Sequence, residues 1–148
     1  MIQNPTTSTS SSLWIPSALR ARIEAAAQRS HPLQSCGVLV GEATRELVTV
    51  LRVVDSENLA LRRDSKLWEL DPLALFRAEH KAQALGLAVV GIWIARAADV
   101  ARPTRVDLAL AWEGWSYLLV AAGAEVVRDV RSWRLIGGDF EEEALVAG

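Results

Sequence analysis

Apolar and polar positions follow two rhythms along this chain. Leu13-Trp14-Ile15 is a short apolar run, read as an edge strand. Pro16 then opens a helix, because proline has no amide proton to lose there and its fixed φ suits the first turn. Leu19, Ile23 and Ala26/Ala27 recur at helical spacing, while Arg20, Arg22, Glu24 and Gln28 take the other positions. Ser30-His31-Pro32 ends the helix, since the residue before a proline is pushed out of the α region. Residues 36–41 (CGVLVG) form a buried strand bracketed by glycines, and residues 46–54 (ELVTVLRVV) form a second, rich in β-branched side chains. The polar link between them predicts a hairpin.

The loop Asp55-Ser56-Glu57-Asn58 and a polar segment with Arg62, Arg63, Asp64 and Ser65 come next, and residues 66–70 alternate weakly, like a short strand. Asp71-Pro72 starts a helix, with an acceptor side chain at the cap and proline at the first position. That helix carries Leu73, Leu75, Phe76, His80 and Ala84, and Gly86 stops it. Residues 87–95 are a central buried strand interrupted by Gly91. A polar loop then leads to Pro103-Thr104-Arg105-Val106-Asp107, a helix entry. Residues 107–115 read as helix and 117–122 as strand. Residues 125–134 read as a strand near an edge, Gly137-Gly138 as a turn, and residues 139–146 as a short acidic helix. The order β-α-β-β-β-α-β-α-β-β-α predicts a mixed α/β fold, a sheet with helices on its flanks.

Composition narrows this picture. Residues 1–12, a Ser/Thr/Asn/Pro tract, are expected to be a disordered tail, and residues 13–148 a single domain. A formal charge of −2 argues against nucleic acid as partner. No stretch approaches the ~18 apolar residues that span a bilayer, and the start lacks a basic and an apolar region. No membrane and a cytoplasmic location are expected. The single cysteine, Cys36, excludes an internal disulfide and a thiolate zinc cluster. It reads as a core residue. His80 on its helix and His31 at a helix end share no ligand spacing and read as structural.

From residue 31 onward, His31-Pro32-Leu33-Gln34-Ser35-Cys36-Gly37-Val38-Leu39-Val40-Gly41 is followed by Asn58, by Leu67-Trp68-Glu69-Leu70-Asp71-Pro72, by Val89-Val90-Gly91, by Pro103-Thr104-Arg105-Val106-Asp107, and by Trp112. In this order the landmarks resemble the JAMM (or MPN) metalloprotease domains, of the prokaryotic JAB type. The resemblance runs from about residue 15 to 145 and implies a central mixed sheet, like that of cytidine deaminases, flanked by helices. Active members of that family hold a zinc with His-x-His on the central strand and an Asp after a Ser. A glutamate in the first motif takes the proton of the metal-bound water. Active members cut peptide or isopeptide bonds after ubiquitin-like or sulfur-carrier tails, and inactive ones pair with and support an active relative.

The ligands do not carry over. Ile94 and Arg96 stand where the two histidines belong, Thr104 replaces the serine, Gln34 replaces the glutamate, and Asp107 remains. Isoleucine has no donor atom, arginine has no lone pair to offer, and an amide is no general base near neutral pH. Zinc hydrolysis needs three protein ligands and an open position, so no catalytic residue and no cofactor are expected. Alternate residues of a strand share a face, so Arg96 should enter the former metal site and pair with Asp107, protein charge replacing metal charge. The other reading has Asp107 as a helix cap alone. Candidate binding residues are Arg96, Asp107, Arg102, Arg105 and Trp93, with Trp112 beside the cleft. The resemblance implies a binding or scaffolding module whose partner is an active JAMM-like protease, a ubiquitin-like protein or a second copy. The alternatives are an active zinc peptidase with an atypical site, and an anion-binding domain that uses the loop arginines.

Overall fold

In a computed structural model of the chain, the described residues are 11–64 and 66–148. The expected tail therefore lies mostly outside them. Its last two residues do not behave as a tail. Ser12 begins the first strand, and Ser11 is buried with its hydroxyl donating to Glu143 at 2.6 Å.

The described residues form seven strands: β1 Ser12–Ile15, β2 Ser35–Ala43, β3 Leu47–Ser56, β4 Ala88–Ala97, β5 Ser116–Ala122, β6 Val127–Ile136 and β7 Asp139–Ala147. Three α-helices lie between them: α1 Ser17–Ser30, α2 Pro72–Ala84 and α3 Arg105–Leu110, with a 3-10 turn at Leu59–Arg62. The strands run in the order β1-β3-β2-β4-β5-β6-β7 and close into a barrel as β1 pairs with both β3 and β7. Both of those pairings, and β4 with β5, are parallel; the rest are antiparallel. The mixed sheet with helices against it is as the sequence implied. Among the described residues, no helix is long and apolar enough to cross a membrane.

Several boundaries differ, for identifiable reasons. β1 is not an edge strand, because β7 and β3 flank it, and β6 is not near an edge, because β5 and β7 pair with it. The acidic C-terminal segment is a strand. Its glutamates favour a helix only weakly, and an extended chain here finds backbone partners, residues 139–143 on β6 and residues 144–147 on β1. Residues 66–70 make only one isolated bridge, Asn58 to Leu70. Asn58 organises that segment: its Oδ1 accepts from Ala60 N and Glu69 N, and its Nδ2 donates to the carbonyls of Leu67 and Gln34. The helix expected over 107–115 begins earlier and stops at Leu110, where Ala111 turns extended and the Tyr117 hydroxyl accepts from Trp112 N at 2.7 Å.

Each face of the sheet has its own core. One cluster takes Leu13, Leu39, Val48, Val90, Leu118, Val130 and Leu145, one from each strand, and packs them on Ile23, Ala26 and Ala27 of α1. The closed sheet thus wraps α1. The other cluster sets Val38, Val40, Ile92, Ile94, Leu119 and Tyr117 against Ala78 and Ala82 of α2 and against Trp68. β4 serves both, since Trp93 and Ala95 face the first and Ile92 and Ile94 the second. Gly91 lets β4 approach β5 closely: a Cβ there would lie 2.0 Å from the Ser116 carbonyl oxygen.

Candidate functional site

The site forms where β4 ends, at the second face of the sheet. Ile94 is fully buried in that apolar cluster. Two residues on, Arg96 emerges from the same face and reaches α3. Its Nη2 donates to both carboxylate oxygens of Asp107, each at 2.8 Å, and its Nη1 lies 3.4 Å from the Thr104 hydroxyl. The side chains of this pair are 15% and 1% exposed.

Asp107 has further partners. Trp68 Nε1 donates to its Oδ1 at 2.8 Å, and Thr104 N donates to its Oδ2 at 2.8 Å. Asp107 N in turn donates to the Thr104 hydroxyl at 3.3 Å, which completes a capping box at the start of α3. The two readings of Asp107 are therefore both present: it caps the helix and it pairs with Arg96. Each of its oxygens accepts from two donors. A carboxylate buried this deeply needs such company, because an unpaired buried charge is costly.

Gln34 lies at the head of β2, nine-tenths buried. Its Nε2 donates to the Lys66 carbonyl at 2.6 Å, while its buried Oε1 has no partner. With Pro32, Leu33, Lys66, Arg96 and Ala97, Gln34 borders an open cleft of ≈ 340 Å³. The fold thus gathers Gln34, Ile94, Arg96, Thr104 and Asp107 around one place, with Asp107 as an acceptor whose oxygens are taken by neighbouring donors.

The donor set does not fit zinc. Where the resemblance would place the metal, the Asp107 carboxylate already accepts four hydrogen bonds, beside a guanidinium and an isoleucine. Among the described residues, no group of three or more His, Cys, Asp or Glu side chains is arranged to hold a metal ion.

The remaining candidates fall elsewhere. Trp93 does not line a groove: it is 1% exposed, on the α1 side of β4, and its Nε1 donates to the Val54 carbonyl at 3.3 Å. A bulky indole at an odd strand position faces away from Arg96, and the alternation of β4 already implied this. Trp112 does border a groove. It stacks on Trp115 at 5.1 Å and, with Trp68, Leu75, Leu110 and Tyr117, surrounds an apolar hollow of ≈ 280 Å³ next to Asp107. Sequence reasoning missed Trp68, which touches Asp107 directly. Its place three residues before Asp71-Pro72 is visible in the sequence, but its long-range partner is not. Arg102 and Arg105 are exposed on the loop and the first turn of α3. His80 is exposed and stacks on Phe76, and His31 closes α1 through its backbone.

Two buried titratable groups flank the site. Burial pushes the Cys36 thiol up to about 12, against a smaller opposing effect of a hydrogen bond with Ser56. Burial likewise raises Tyr117 to about 12, with the Trp112 amide opposing and the Asp107 charge adding to the rise. Cys36 is therefore a neutral core thiol, as its place in an apolar strand suggested.

The fold recurs in solved structures. A Desulfitobacterium hafniense protein matches over 92% of this chain and 92% of its own, with a TM-score of 0.78 at 22% identity. A Salinibacter ruber protein matches over 90% of each chain, with a TM-score of 0.68 at 23% identity. A JAB1/MPN domain protein from Archaeoglobus fulgidus matches over 93% of this chain and 99% of its own, with a TM-score of 0.55 at 16% identity. Among curated protein sequences, no relative matches. The model of the family described as prokaryotic homologs of the JAB domain matches residues 16–136, most of the barrel together with Gln34, Arg96 and Asp107, and the chain belongs to that family.

Proposed function

We propose that this chain is a non-hydrolysing JAB-family domain, a binding or scaffolding module rather than a peptidase. The observation that carries the reading is the occupancy of Asp107: both oxygens are taken by Arg96, Trp68 and Thr104 N, where a metalloprotease would offer one to zinc. Gln34 supports it, since its amide cannot take a proton from water. The ion pair holds the loop between β4 and α3, and with it the walls of the cleft and of the tryptophan-lined hollow. Those walls suit a protein partner: an active JAMM-like protease, the tail of a ubiquitin-like or sulfur-carrier protein held without cleavage, or a second copy of the chain.

The test is a cleavage assay with zinc supplied, on peptide and isopeptide fusions of ubiquitin-like carriers. The wild-type chain is expected to leave them intact. The triple variant Gln34→Glu/Ile94→His/Arg96→His, which rebuilds the family's donor set, is expected to bind zinc. Chelator-sensitive cleavage by the wild-type chain, lost in Asp107→Ala, would instead establish an active enzyme with an atypical metal site.

A further inference from the structure

A second cleft lies between α2 and the outer face of the β2–β3 hairpin. Its residues are none of those around Arg96 and Asp107, and its reading does not depend on theirs. α2 turns Ala74, Ala78 and Ala82, each four residues apart, toward the sheet. Opposite them stand Val40 and Val54. Small side chains on the helix leave the space between the layers unfilled, a hollow of ≈ 240 Å³.

The rim of this hollow is basic. Arg52, paired across the hairpin from Val40, and Arg77 and Lys81 of α2 line it, with Asp55 the single carboxylate among the lining residues. All three cations are exposed, and none is paired with a carboxylate among the described residues. Arg77 and Lys81 are also four apart on one helix face, where like charges destabilise a helix. Three cations converge here on a chain whose formal charge is −2. An apolar floor under a cationic rim is complementary to an amphiphilic anion: the floor takes the hydrocarbon, and guanidinium and ammonium groups take the head.

We propose that this cleft binds a small organic anion, with a short aliphatic or aryl body over Ala78 and Ala82 and a carboxylate or phosphate head at Arg52, Arg77 and Lys81. The hollow is small, so the ligand is a metabolite-sized molecule and not a polymer.

The experiment is a titration of the whole chain, followed in amide proton–nitrogen correlation spectra, with octanoate, phenyl phosphate, inorganic phosphate and octan-1-ol as separate probes. Saturable shifts confined to the cleft residues of β2, β3 and α2 are expected from octanoate or phenyl phosphate, and the tighter of the two identifies the head group. Arg77→Ala/Lys81→Ala, two exposed changes that leave the core intact, is expected to weaken binding by about tenfold or more. Ala78→Leu, which fills the hollow, is expected to abolish it. The proposal is overturned if no anionic probe gives saturable shifts, if the shifts map to Arg96, Arg102 or Arg105, or if octan-1-ol binds as well as octanoate. It is also overturned if inorganic phosphate alone matches both organic anions, or if the Arg77→Ala/Lys81→Ala variant binds undiminished.

Discussion

Asp107 and Glu143 are both buried carboxylates, and the protein accommodates them differently. Asp107 sits against a guanidinium, an indole N–H and a backbone N–H. Glu143, 3% exposed on β7, accepts among the described residues from two hydroxyls, Ser11 at 2.6 Å and Ser132 at 2.8 Å. The first arrangement brings a full opposite charge to Asp107, which on the proposed reading stands in for the charge of a metal. The second is a polar staple that ties the closing strand β7 to the residue before β1 and to β6. A buried carboxylate as such therefore says nothing about function. What distinguishes Asp107 is the cation aimed at it from β4, on the face that would otherwise present a ligand.

The difference has measurable consequences, all accessible by chemical denaturation. Asp107→Ala is expected to have the largest effect, about 3–5 kcal/mol, because it strands a mostly buried guanidinium and removes the cap of α3 together. Arg96→Ala is expected to cost about 3 kcal/mol by leaving Asp107 without its charge partner. Arg105→Ala, on the exposed first turn of α3, should stay within about 0.5 kcal/mol. Equal effects of Arg96→Ala and Arg105→Ala would remove the ion pair from the account. Glu143→Ala should cost less than either change in the pair, about 1–3 kcal/mol for two hydroxyls left unpaired. A larger loss there than at Asp107 would erase the contrast between the two sites.

Cys36 contrasts with both carboxylates as a buried thiol whose desolvation a hydrogen bond with Ser56 offsets only in part. Its folded value of about 12 lies above the ordinary 9.0. Between those values the unfolded chain releases the thiol proton and the folded chain keeps it. Stability should therefore fall as pH rises through that window. Tyr117 adds to the fall in the same direction. Cys36→Ala should flatten the decline, and in the native protein near neutral pH the thiol should resist alkylation until the chain is unfolded.

Much of this architecture was legible from local chemistry. Pro16, Asp71-Pro72 and Gly86 mark helix ends because their backbone requirements are local, and the structure places α1 and α2 accordingly. The period-2 alternation of β4 was enough to put Ile94 and Arg96 on one face. The misread elements depend on distant partners. Residues 139–146 have the composition of an acidic helix, and they extend because β6 pairs with residues 139–143 and β1 with residues 144–147. Ser11 and Ser12 read as part of a polar tract, since nothing near them shows that Glu143 will bind Ser11 or that β7 will pair with Ser12. Trp68 appeared as one residue of a weak alternating run, and its bond to Asp107 spans 39 positions.

On the proposed reading, Arg96 supplies at Asp107 the positive charge that a metal would bring. Zinc content by elemental analysis decides this, on the wild-type chain purified without chelator or added metal. Far less than one zinc per chain is expected, with zinc retained only in the Gln34→Glu/Ile94→His/Arg96→His variant. One zinc per wild-type chain, lost on Asp107→Ala while Glu143→Ala keeps it, would contradict the claim.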